Sequence, residues 1–363
     1  MIYLDNQTLS PPSKEVLDAV AASMQNKWQS SLAPYSTYIQ DLDPLYTLVG
    51  ANKEDHFLFT SSGAEAISNV VMSTYIDVTR KNGKHHYLTS STGEAPAILS
   101  MTRLQEMGCH FQMVDGMSVE AFAETITPRT ALISLSWADG MSGVIHPISE
   151  IAKLCKERGI LFHVDASHVL GKGHFPFADS GIDFMTFNGE QIGGPKGSGG
   201  IFIRDGCELS PLIFGQALNH PALAGLIVAA KQGYEMCDHL CIETAHLRTT
   251  FEQKICASLP DTVIFFRDQK RLPSITAMGF PGVTSDALCF LLMKRKVFAN
   301  MGGGNFQQIS HLLKANQVPA PLRHSGLSFA LSSKTSAEQI EIAVEQVIDV
   351  VKKLKRYSEA ILI

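Results

Sequence analysis

The chain has 363 residues, which is long enough for two or three domains of typical size and for a substantial hydrophobic core. Hydrophobic residues make up 45% and charged residues 18%, a composition that excludes a disordered chain, a coiled coil and a disulfide-stapled miniprotein. The net charge is −5 and the sequence has no long basic run, so nucleic acid is not an expected partner.

The sequence also carries expectations about location. Its first residues lack the positive and apolar regions of a secretory signal, and the longest apolar stretch, 221–230, is about half of the roughly 20 residues that cross a bilayer. Seven cysteines are spread without a repeated spacing, as expected for reduced thiols. We therefore expect a cytoplasmic protein without a membrane span.

Short runs rich in β-branched and aromatic residues alternate with segments of helical length over the first two thirds of the chain. Strands are predicted at 56–60, 85–89, 131–136, 160–164, 182–187 and 200–203, and helices at 94–107 and 148–158. Gly108 and Gly159 follow these two helices in the position where glycine commonly ends a helix. This order predicts an α/β fold with a mostly parallel sheet covered by helices.

A long helical pattern follows at 221–259, and the alternation then stops. The remaining residues predict strands at 263–266, 274–279 and 327–331 and helices at 285–293 and 337–357. One face of the last helix carries apolar residues, namely Ile340, Val344, Val347 and Val351. We place a domain boundary here, with a large domain at 1–255 that includes the long connecting helix and a smaller α+β domain at 256–363.

Short motifs occur in a fixed order along the large domain. They are Tyr3–Asp5, Ser62-Gly63-Ala64, His163–Ala166 and Phe187–Gln191, the last followed by Gly194–Gly197. In this order they resemble the cysteine desulfurases, members of the aminotransferase class V group of pyridoxal phosphate (PLP) enzymes. The resemblance extends over almost the whole chain and includes the start of the final helix at Ser336–Ile340.

The resemblance implies a type I PLP-dependent transferase fold, with a mostly parallel seven-stranded sheet, a smaller C-terminal α+β domain and a homodimer. It also implies a lysine that holds the cofactor as a Schiff base, an aspartate that faces the pyridine nitrogen, a histidine that stacks on the ring, and donors that hold the phosphate. A cysteine on a mobile loop takes sulfur from the substrate in this family.

The Schiff-base lysine of the family is replaced in this sequence by Gln191. The segment Asn188–Gln191 stands where the family has Ser-Gly-His-Lys, and the flanking Phe187 and the following glycines fix the register. A carboxamide is not a nucleophile toward an aldehyde and carries no proton near neutral pH. Lys196 is the nearest alternative amine, although it matches a second family lysine that does not form the Schiff base.

Three glutamates replace cofactor-binding or catalytic groups of the family. Glu94 stands where a histidine stacks on the ring, Glu65 stands where a threonine binds phosphate, and Glu190 stands where a histidine precedes the lysine. At an effective dielectric near 20, one like-charge pair at about 4 Å costs around 4 kcal/mol, whereas a helix N-terminus offsets about 1 kcal/mol. Unless these side chains turn to solvent, we expect PLP to bind weakly or not at all.

Other family groups are missing as well. Gly140 stands in place of an asparagine near the cofactor hydroxyl, and Ser328 replaces the arginine that binds the substrate carboxylate. The segment Asn300–Asn305 replaces the cysteine loop and contains no cysteine, while Cys289 is expected to be inert. The phosphate-binding arginine segment, expected between Phe214 and Leu226, contains no arginine.

Two polar residues of the family site have counterparts here. Asp165 is retained at the position of the pyridine-nitrogen partner, although it is equally expected to cap a neighbouring loop, and His168 stands where the family often has glutamine. His163 is expected to be a core histidine. A glutamate cluster with Asp165 and His168 would alternatively suit a hard cation or an amine. Cys237 and Cys241 share a helical face, but packing explains them better than a metal, so we expect no metal site.

These substitutions favour a cysteine desulfurase-like protein that has lost PLP-dependent catalysis, binds no cofactor, and acts as a binding, scaffold or regulatory protein in sulfur transfer or iron–sulfur assembly. Its expected partner in a dimer is a second copy or an active paralogue, and a sulfur-transfer or iron–sulfur scaffold protein is a further expected partner. The alternative is an active PLP-dependent cysteine desulfurase or aminotransferase that uses Lys196 or a substrate amine. The remnant cleft is expected to contain Ser62, Gly63, Ala64, Glu65, Glu94, Gly140, Asp165, His168, Asn188, Glu190 and Gln191.

Overall fold

The computed structural model describes residues 1–25, 42–116, 118–214, 218–303 and 307–361. The strands are β1 (Ile2–Tyr3), β2 (His56–Thr60), β3 (His86–Ser90), β4 (His110–Val114), β5 (Thr130–Ser136), β6 (Leu161–Asp165), β7 (Phe184–Asn188), β8 (Gly199–Ile203), β9 (Val263–Ile264), β10 (Ile275–Gly279), β11 (Val297–Phe298), β12 (Gly302–Gly303), β13 (Gln307–Gln308) and β14 (Gly326–Ala330). The helices are Lys14–Gln25, Asp43–Val49, Gly63–Thr74, Tyr75–Thr79 (a π-helical turn), Arg80–Asn82, Ala95–Glu106, Val119–Thr125, Ile148–Arg158, Gly189–Ile192 (3₁₀), His220–Glu235, Cys237–Ser258, Ser285–Lys294, Ile309–Ala315, Ala320–Arg323 and Ala337–Ile361.

The described residues divide into two compact units. The sheet unit consists of Leu9–Trp137 and His146–Cys237, and the terminal unit consists of Met1–Thr8, Ala138–Ile145 and Asp238–Ile363. The boundary between 255 and 256 stays a prediction of where the two domains divide. None of the helices that the structure describes is long and apolar enough to span a bilayer.

A seven-stranded sheet forms the centre of the sheet unit, in the order β2-β8-β7-β6-β5-β3-β4. The strands from β7 to β4 are parallel to their neighbours, whereas β8 runs antiparallel to both β7 and β2. Every residue of β3 and β5 is buried, as expected for a parallel sheet with helices on both faces. The α/β class and the mostly parallel seven-stranded sheet are thus confirmed.

The sequence-based prediction is wrong about one strand of the sheet unit and about the long helix at the C-terminal end of that unit. It omits β4, because this strand lies at the edge of the sheet and exposes His110, Gln112 and Met113, so it lacks the apolar run of a buried strand. It also treats 221–259 as one helix, but the structure has two that are separated by Met236. Met236 has φ −98° and ψ −2°, near the bridge region of the backbone map, and neither Gly nor Pro marks the break.

The terminal unit is built around an antiparallel sheet of order β14-β10-β9, and β1 pairs in parallel with β11. Its core packs the Phe251 ring against the Phe329 ring with centroids 4.9 Å apart. The predicted apolar face of the last helix is buried in this core, as shown by Ile340, Val344, Val347 and Val351. A small α+β arrangement is therefore confirmed for these C-terminal residues.

Candidate functional site

The candidate site lies where parallel strands of the sheet unit end. β5 ends at Ser136, β6 at Asp165 and β7 at Asn188. Ser136 is the register partner of Asp165, and Asp165 is the register partner of Thr186. In open α/β sheets, ligands bind at the carboxyl ends of the strands. The sheet thus brings together polar residues that are far apart in the sequence, at the edge where a ligand is expected.

Asp165 is buried, and neutral donors surround its carboxylate. Oδ1 accepts hydrogen bonds from Ser167 Oγ and Thr186 Oγ1, both at 2.9 Å, and Oδ2 accepts one from the Ser167 N–H at 3.3 Å. Burial, and then the charge of Glu94, raises the pKa of Asp165 to about 6, against the charge of His168 and the two hydroxyl bonds, which lower it. This carboxyl group therefore changes protonation in the weakly acidic range.

Glu94 and His168 form a hydrogen-bonded pair. Nε2 of His168 lies 3.2 Å from Oε1 of Glu94, and the same oxygen accepts a bond from Ser136 Oγ at 3.4 Å. Burial acts to lower the pKa of His168, but the hydrogen bond and the charge of Glu94 outweigh it, so the pKa is raised overall. The Glu94 carboxylate thus has a cationic partner within the protein, which leaves less electrostatic reason for an external cation to bind there.

Ser167 links Asp165 to the end of β7. Its hydroxyl donates to Asp165 Oδ1 and accepts a hydrogen bond from the Asn188 N–H at 2.9 Å. The side-chain oxygen Oδ1 of Asn188 is buried and has no partner among the described residues. Asp165 therefore caps a neighbouring loop, which is one of the two roles that the sequence predicts for it. Its carboxylate also lies at the edge of the sheet where the parallel strands end.

Glu65 caps the helix that it belongs to. Ser62, the residue before helix Gly63–Thr74, accepts a hydrogen bond from the Glu65 N–H at 3.1 Å. The Glu65 carboxylate turns back, where Oε2 accepts hydrogen bonds from the Ser61 N–H at 2.8 Å and from the Ser61 hydroxyl. The negative charge lies at the positive end of the helix dipole, so a protein carboxylate already uses this anion-binding position.

Close backbone packing places this helix start beside β7 and β8. A Cβ atom on Gly63 would lie 3.0 Å from Cβ of Asn188, and one on Gly199 would lie 2.7 Å from the carbonyl carbon of Ser62. The position of Gly199 requires glycine because real Cβ atoms do not approach backbone this closely, whereas a side chain at Gly63 would require Asn188 to shift by a few tenths of an ångström. The sequence motif Ser62-Gly63-Ala64 therefore lies against Asn188, and the exposed Ala64 faces outward.

Gln191 lies in the short helix Gly189–Ile192, directly after β7, and its side chain is half-buried. Glu190 is also half-buried, and its carbonyl accepts a hydrogen bond from the Ser10 N–H at 3.0 Å. A Cβ atom on Gly189 would lie 2.1 Å from Ser198 Oγ, so the start of this turn is held tightly. Lys196 is exposed in the turn that follows.

Two predicted site residues, Gly140 and Ser328, belong to the terminal unit. Gly140 lies in a loop where Asp139 Oδ1 accepts hydrogen bonds from the N–H groups of Met141 and Ser142, at 2.9 and 2.7 Å. Ser328 is fully buried, and its hydroxyl donates to the Met141 carbonyl at 2.6 Å and accepts from Gln7 Nε2 at 3.2 Å. Ser328 thus has partners within its own unit.

Parts of two further predicted segments lie outside the described residues. They are 304–305 of the loop that replaces the cysteine loop, and 215–217 of the stretch between Phe214 and Leu226. In the described part of the first loop, Asn300 Nδ2 donates to Asp5 Oδ1 at 2.7 Å and to Thr8 Oγ1 at 2.9 Å.

The structure agrees with the predictions for two residues that are expected to have no chemical role, His163 and Cys289. His163 is buried, with Nδ1 2.7 Å from Ser134 Oγ and Nε2 2.9 Å from Thr186 Oγ1, and burial lowers its pKa to about 3. It is therefore a core histidine. Burial, and then nearby carboxylates, raises the pKa of the Cys289 thiol, so this cysteine is a poor nucleophile.

The residues at these positions do not fit PLP as the resemblance implies it is held. The cofactor needs an amine for its aldehyde and donors for a dianionic phosphate. Gln191 offers a carboxamide at the first position, and Glu65 offers a carboxylate at the second. Asp165 retains the expected chemistry, a carboxylate that suits a protonated ring nitrogen. No chemical step through the cofactor follows from this donor set.

Sequence reasoning missed Ser136, Ser167 and Thr186, whose hydroxyl groups bond the site carboxylates. The position of Ser167, two residues after Asp165, is a detectable signal because serine next to an aspartate commonly forms such a local bond. Ser136 and Thr186 reach the site only through the register of the sheet. Neither residue has a sequence signal of its own.

Comparisons with known proteins agree with this architecture. The model of the family described as aminotransferase class-V matches residues 2–235. The cysteine desulfurase of Bradyrhizobium diazoefficiens is 28% identical over 99% of this chain and 96% of its own length, and that of Cereibacter sphaeroides is 29% identical over 98% and 97%.

Solved structures show the same fold. A NifS-like protein superposes with a TM-score of 0.88 at 19% identity, covering 97% of this chain and 99% of that one. A NifS-like protein from Rickettsia africae gives 0.83 at 20% identity, with the same coverage. The fold is the type I fold of PLP-dependent transferases, and the chain belongs to the aminotransferase class-V family.

Proposed function

We propose that this protein is a cysteine desulfurase-like member of its family that has lost PLP-dependent catalysis and acts as a binding, scaffold or regulatory protein. The main observation in support of this proposal is the presence of Gln191. It lies in the turn after β7, at the position that the resemblance assigns to the Schiff-base lysine, and its carboxamide neither attacks an aldehyde nor carries a proton near neutral pH. Without that amine the family chemistry has no starting point.

The charges around the site support the same conclusion. The Glu65 carboxylate accepts two hydrogen bonds at the start of helix Gly63–Thr74, where a phosphate would need free donors. The side chain of Glu94 is held by His168, at the position where the family has a stacking histidine. A dianionic ligand placed here would meet like charge, which costs several kcal/mol per pair in a partly buried site.

The alternative enzyme would use Lys196 in place of Gln191. Lys196 is exposed in its turn, so water reaches its side chain. Amines that act as catalytic nucleophiles are instead desolvated or placed beside another cation, which frees the neutral form at neutral pH. The exposure of Lys196 therefore supports the non-catalytic proposal over this alternative.

We further propose that the protein works in sulfur transfer or iron–sulfur assembly, in the cytoplasm, as a homodimer or as a heterodimer with an active paralogue. The support is that relatives matching nearly the whole chain are named cysteine desulfurases. A protein that keeps this fold keeps its surfaces for binding partners even when the catalytic groups are lost. Light scattering on the purified protein should give a dimer mass. A monomer mass would contradict the homodimer.

Turnover of L-cysteine tests the loss of catalysis. The full-length protein, at concentrations stoichiometric with cysteine and with PLP added, should release neither alanine nor sulfide, while a curated relative such as the cysteine desulfurase of Azotobacter vinelandii serves as the positive control. Alanine release that disappears in the Lys196→Ala variant would overturn the proposal in favour of the enzyme.

A further inference from the structure

Lys172 has a buried amine that nothing in the proposed function uses. Its Nζ atom is buried and has no hydrogen-bond partner among the described residues. Burial lowers the pKa of this amine to about 8. An ammonium group without an acceptor is costly inside a protein, so these surroundings favour the neutral amine more than water does, and the neutral form predominates above about pH 8. A neutral lysine amine is a nucleophile.

Two consecutive turns of the chain carry His168 and Lys172. The Leu170 N–H bonds to the Ala166 carbonyl at 3.2 Å, and the Lys172 N–H bonds to the Val169 carbonyl at 2.9 Å. The charge of Lys172 is also felt at the ring: burial and then Lys172 act to lower the pKa of His168, against Glu94, which raises it overall. The two side chains are therefore within electrostatic reach of each other.

His168 has one ring nitrogen occupied and one unused. Nε2 bonds Glu94, while Nδ1 is buried and has no partner among the described residues. Above its raised folded-state pKa the His168 ring is neutral, and with Nε2–H directed at the carboxylate it carries its lone pair on Nδ1, where it accepts a proton. Two consecutive turns thus hold a buried amine and a buried ring nitrogen, and neither has a hydrogen-bond partner among the described residues.

The burial of the amine limits its reaction partners to small, uncharged electrophiles. Carbon dioxide has this character, and it reacts with neutral amines but not with ammonium groups. The product carbamate carries two oxygen atoms that accept hydrogen bonds. Among the described residues, Lys172 Nζ and His168 Nδ1 have no such acceptor. Larger aldehydes and phosphorylated compounds would have to displace the packing around Nζ to reach it.

We propose that Lys172 is a site of reversible carbamylation by carbon dioxide, with His168 as the proton acceptor. A bond forms between Nζ and the carbon of carbon dioxide, one carbon–oxygen π bond opens, and one N–H proton moves to Nδ1 of His168. The carbamate carries one negative charge and the imidazolium one positive charge, so charge is conserved and nothing is oxidised or reduced. The carbamate then accepts a hydrogen bond from Nδ1–H, while Nε2–H stays on Glu94.

Carbon-13 NMR of the full-length protein equilibrated with ¹³C-bicarbonate tests this site. The wild-type protein should show a protein-bound carbamate resonance that is lost in Lys172→Met. The resonance should persist in Lys196→Met, the matched control in which an exposed lysine is removed. His168→Gln keeps the amine but removes the proton acceptor, and it should weaken the resonance. A resonance that survives in Lys172→Met would overturn the proposal.

A second readout does not depend on the folding of any variant. Treatment of the wild-type protein with triethyloxonium ion under saturating carbon dioxide converts a carbamate into a stable ethyl ester, which peptide mass spectrometry locates. The ester should be found on the peptide that contains Lys172. Its absence there would overturn the proposal. No PLP is present in either experiment, so their outcome is separate from that of the cysteine turnover test.

Discussion

His168 donates a hydrogen bond from Nε2 to Oε1 of Glu94 at 3.2 Å, and both side chains are largely buried, at 10% and 19% exposure. A carboxylate at the position of a ring-stacking histidine is thereby matched with a cation from the protein itself. The pair compensates its own charge, and the charges of Glu94 and His168 also act in opposite directions on the pKa of the buried Asp165 carboxyl group.

Glu94→Gln should remove the stabilisation of protonated His168. The folded-state pKa of His168 is raised above its ordinary value, so this stabilisation is complete below about pH 6.5 and is lost as pH rises through the folded-state pKa. A double-mutant cycle of Glu94→Gln with His168→Gln, followed by urea unfolding, should give a coupling of about 1–3 kcal/mol at pH 6. A coupling that stays constant to pH 9 would argue against the pair.

Asp165→Asn should flatten the dependence of stability on pH. The folded-state pKa of about 6 lies above the ordinary value near 4, so the folded protein holds a proton that the unfolded chain releases. The contribution of Asp165 to stability is then greatest below about pH 4 and falls as pH rises toward and through 6, by at most about 3 kcal/mol. Asparagine keeps an oxygen acceptor for Ser167 and Thr186. An unchanged slope of unfolding free energy against pH in this variant would contradict the assignment.

Glu65→Gln should destabilise the protein by about 0.5–1 kcal/mol, because the negative charge at the helix start is lost while the side chain keeps its size. Chemical denaturation measures the change. Glu54→Gln, which removes an exposed glutamate before β2, is the matched control and should change little. Equal effects in the two variants would show that the Glu65 carboxylate does not cap its helix.

Gly199→Ala should destabilise the protein by roughly 1–3 kcal/mol, since the new Cβ would lie 2.7 Å from the backbone of Ser62 and the helix start would have to move. Gly303→Ala is the control, because no atom of the described residues, chain neighbours apart, lies within 4 Å of the corresponding Cβ position. Thermal unfolding of both variants checks the prediction. A Gly199→Ala protein as stable as Gly303→Ala would mean that the helix start is not held against β8.

Most of the fold could be predicted from the sequence because its signals are local. The buried strands appear as short apolar runs, and Gly159 marks a helix end with a left-handed conformation, φ +61°. The signals fail where tertiary context decides. The edge strand β4 has no apolar run, and the helix break at Met236 has no breaker residue.

The site was harder to predict than the fold. Sequence position could assign Gln191 and Glu65 to family roles, but it could not show that Glu65 turns back onto Ser61 rather than toward a ligand or solvent. Nor could it find Lys172, because the burial of Nζ depends on packing around the turn and not on any motif. Side-chain direction and desolvation are three-dimensional properties.

Trapping of bound cofactor tests the central claim most directly. The full-length protein is incubated with PLP, reduced with borohydride, digested and analysed by peptide mass spectrometry, with Gln191→Lys as the variant that restores an amine at the site. We expect no lysine of the wild-type protein to carry the reduced cofactor at stoichiometric level, on Lys196 or elsewhere. A wild-type protein that carries one equivalent on a single lysine would contradict the loss of PLP chemistry.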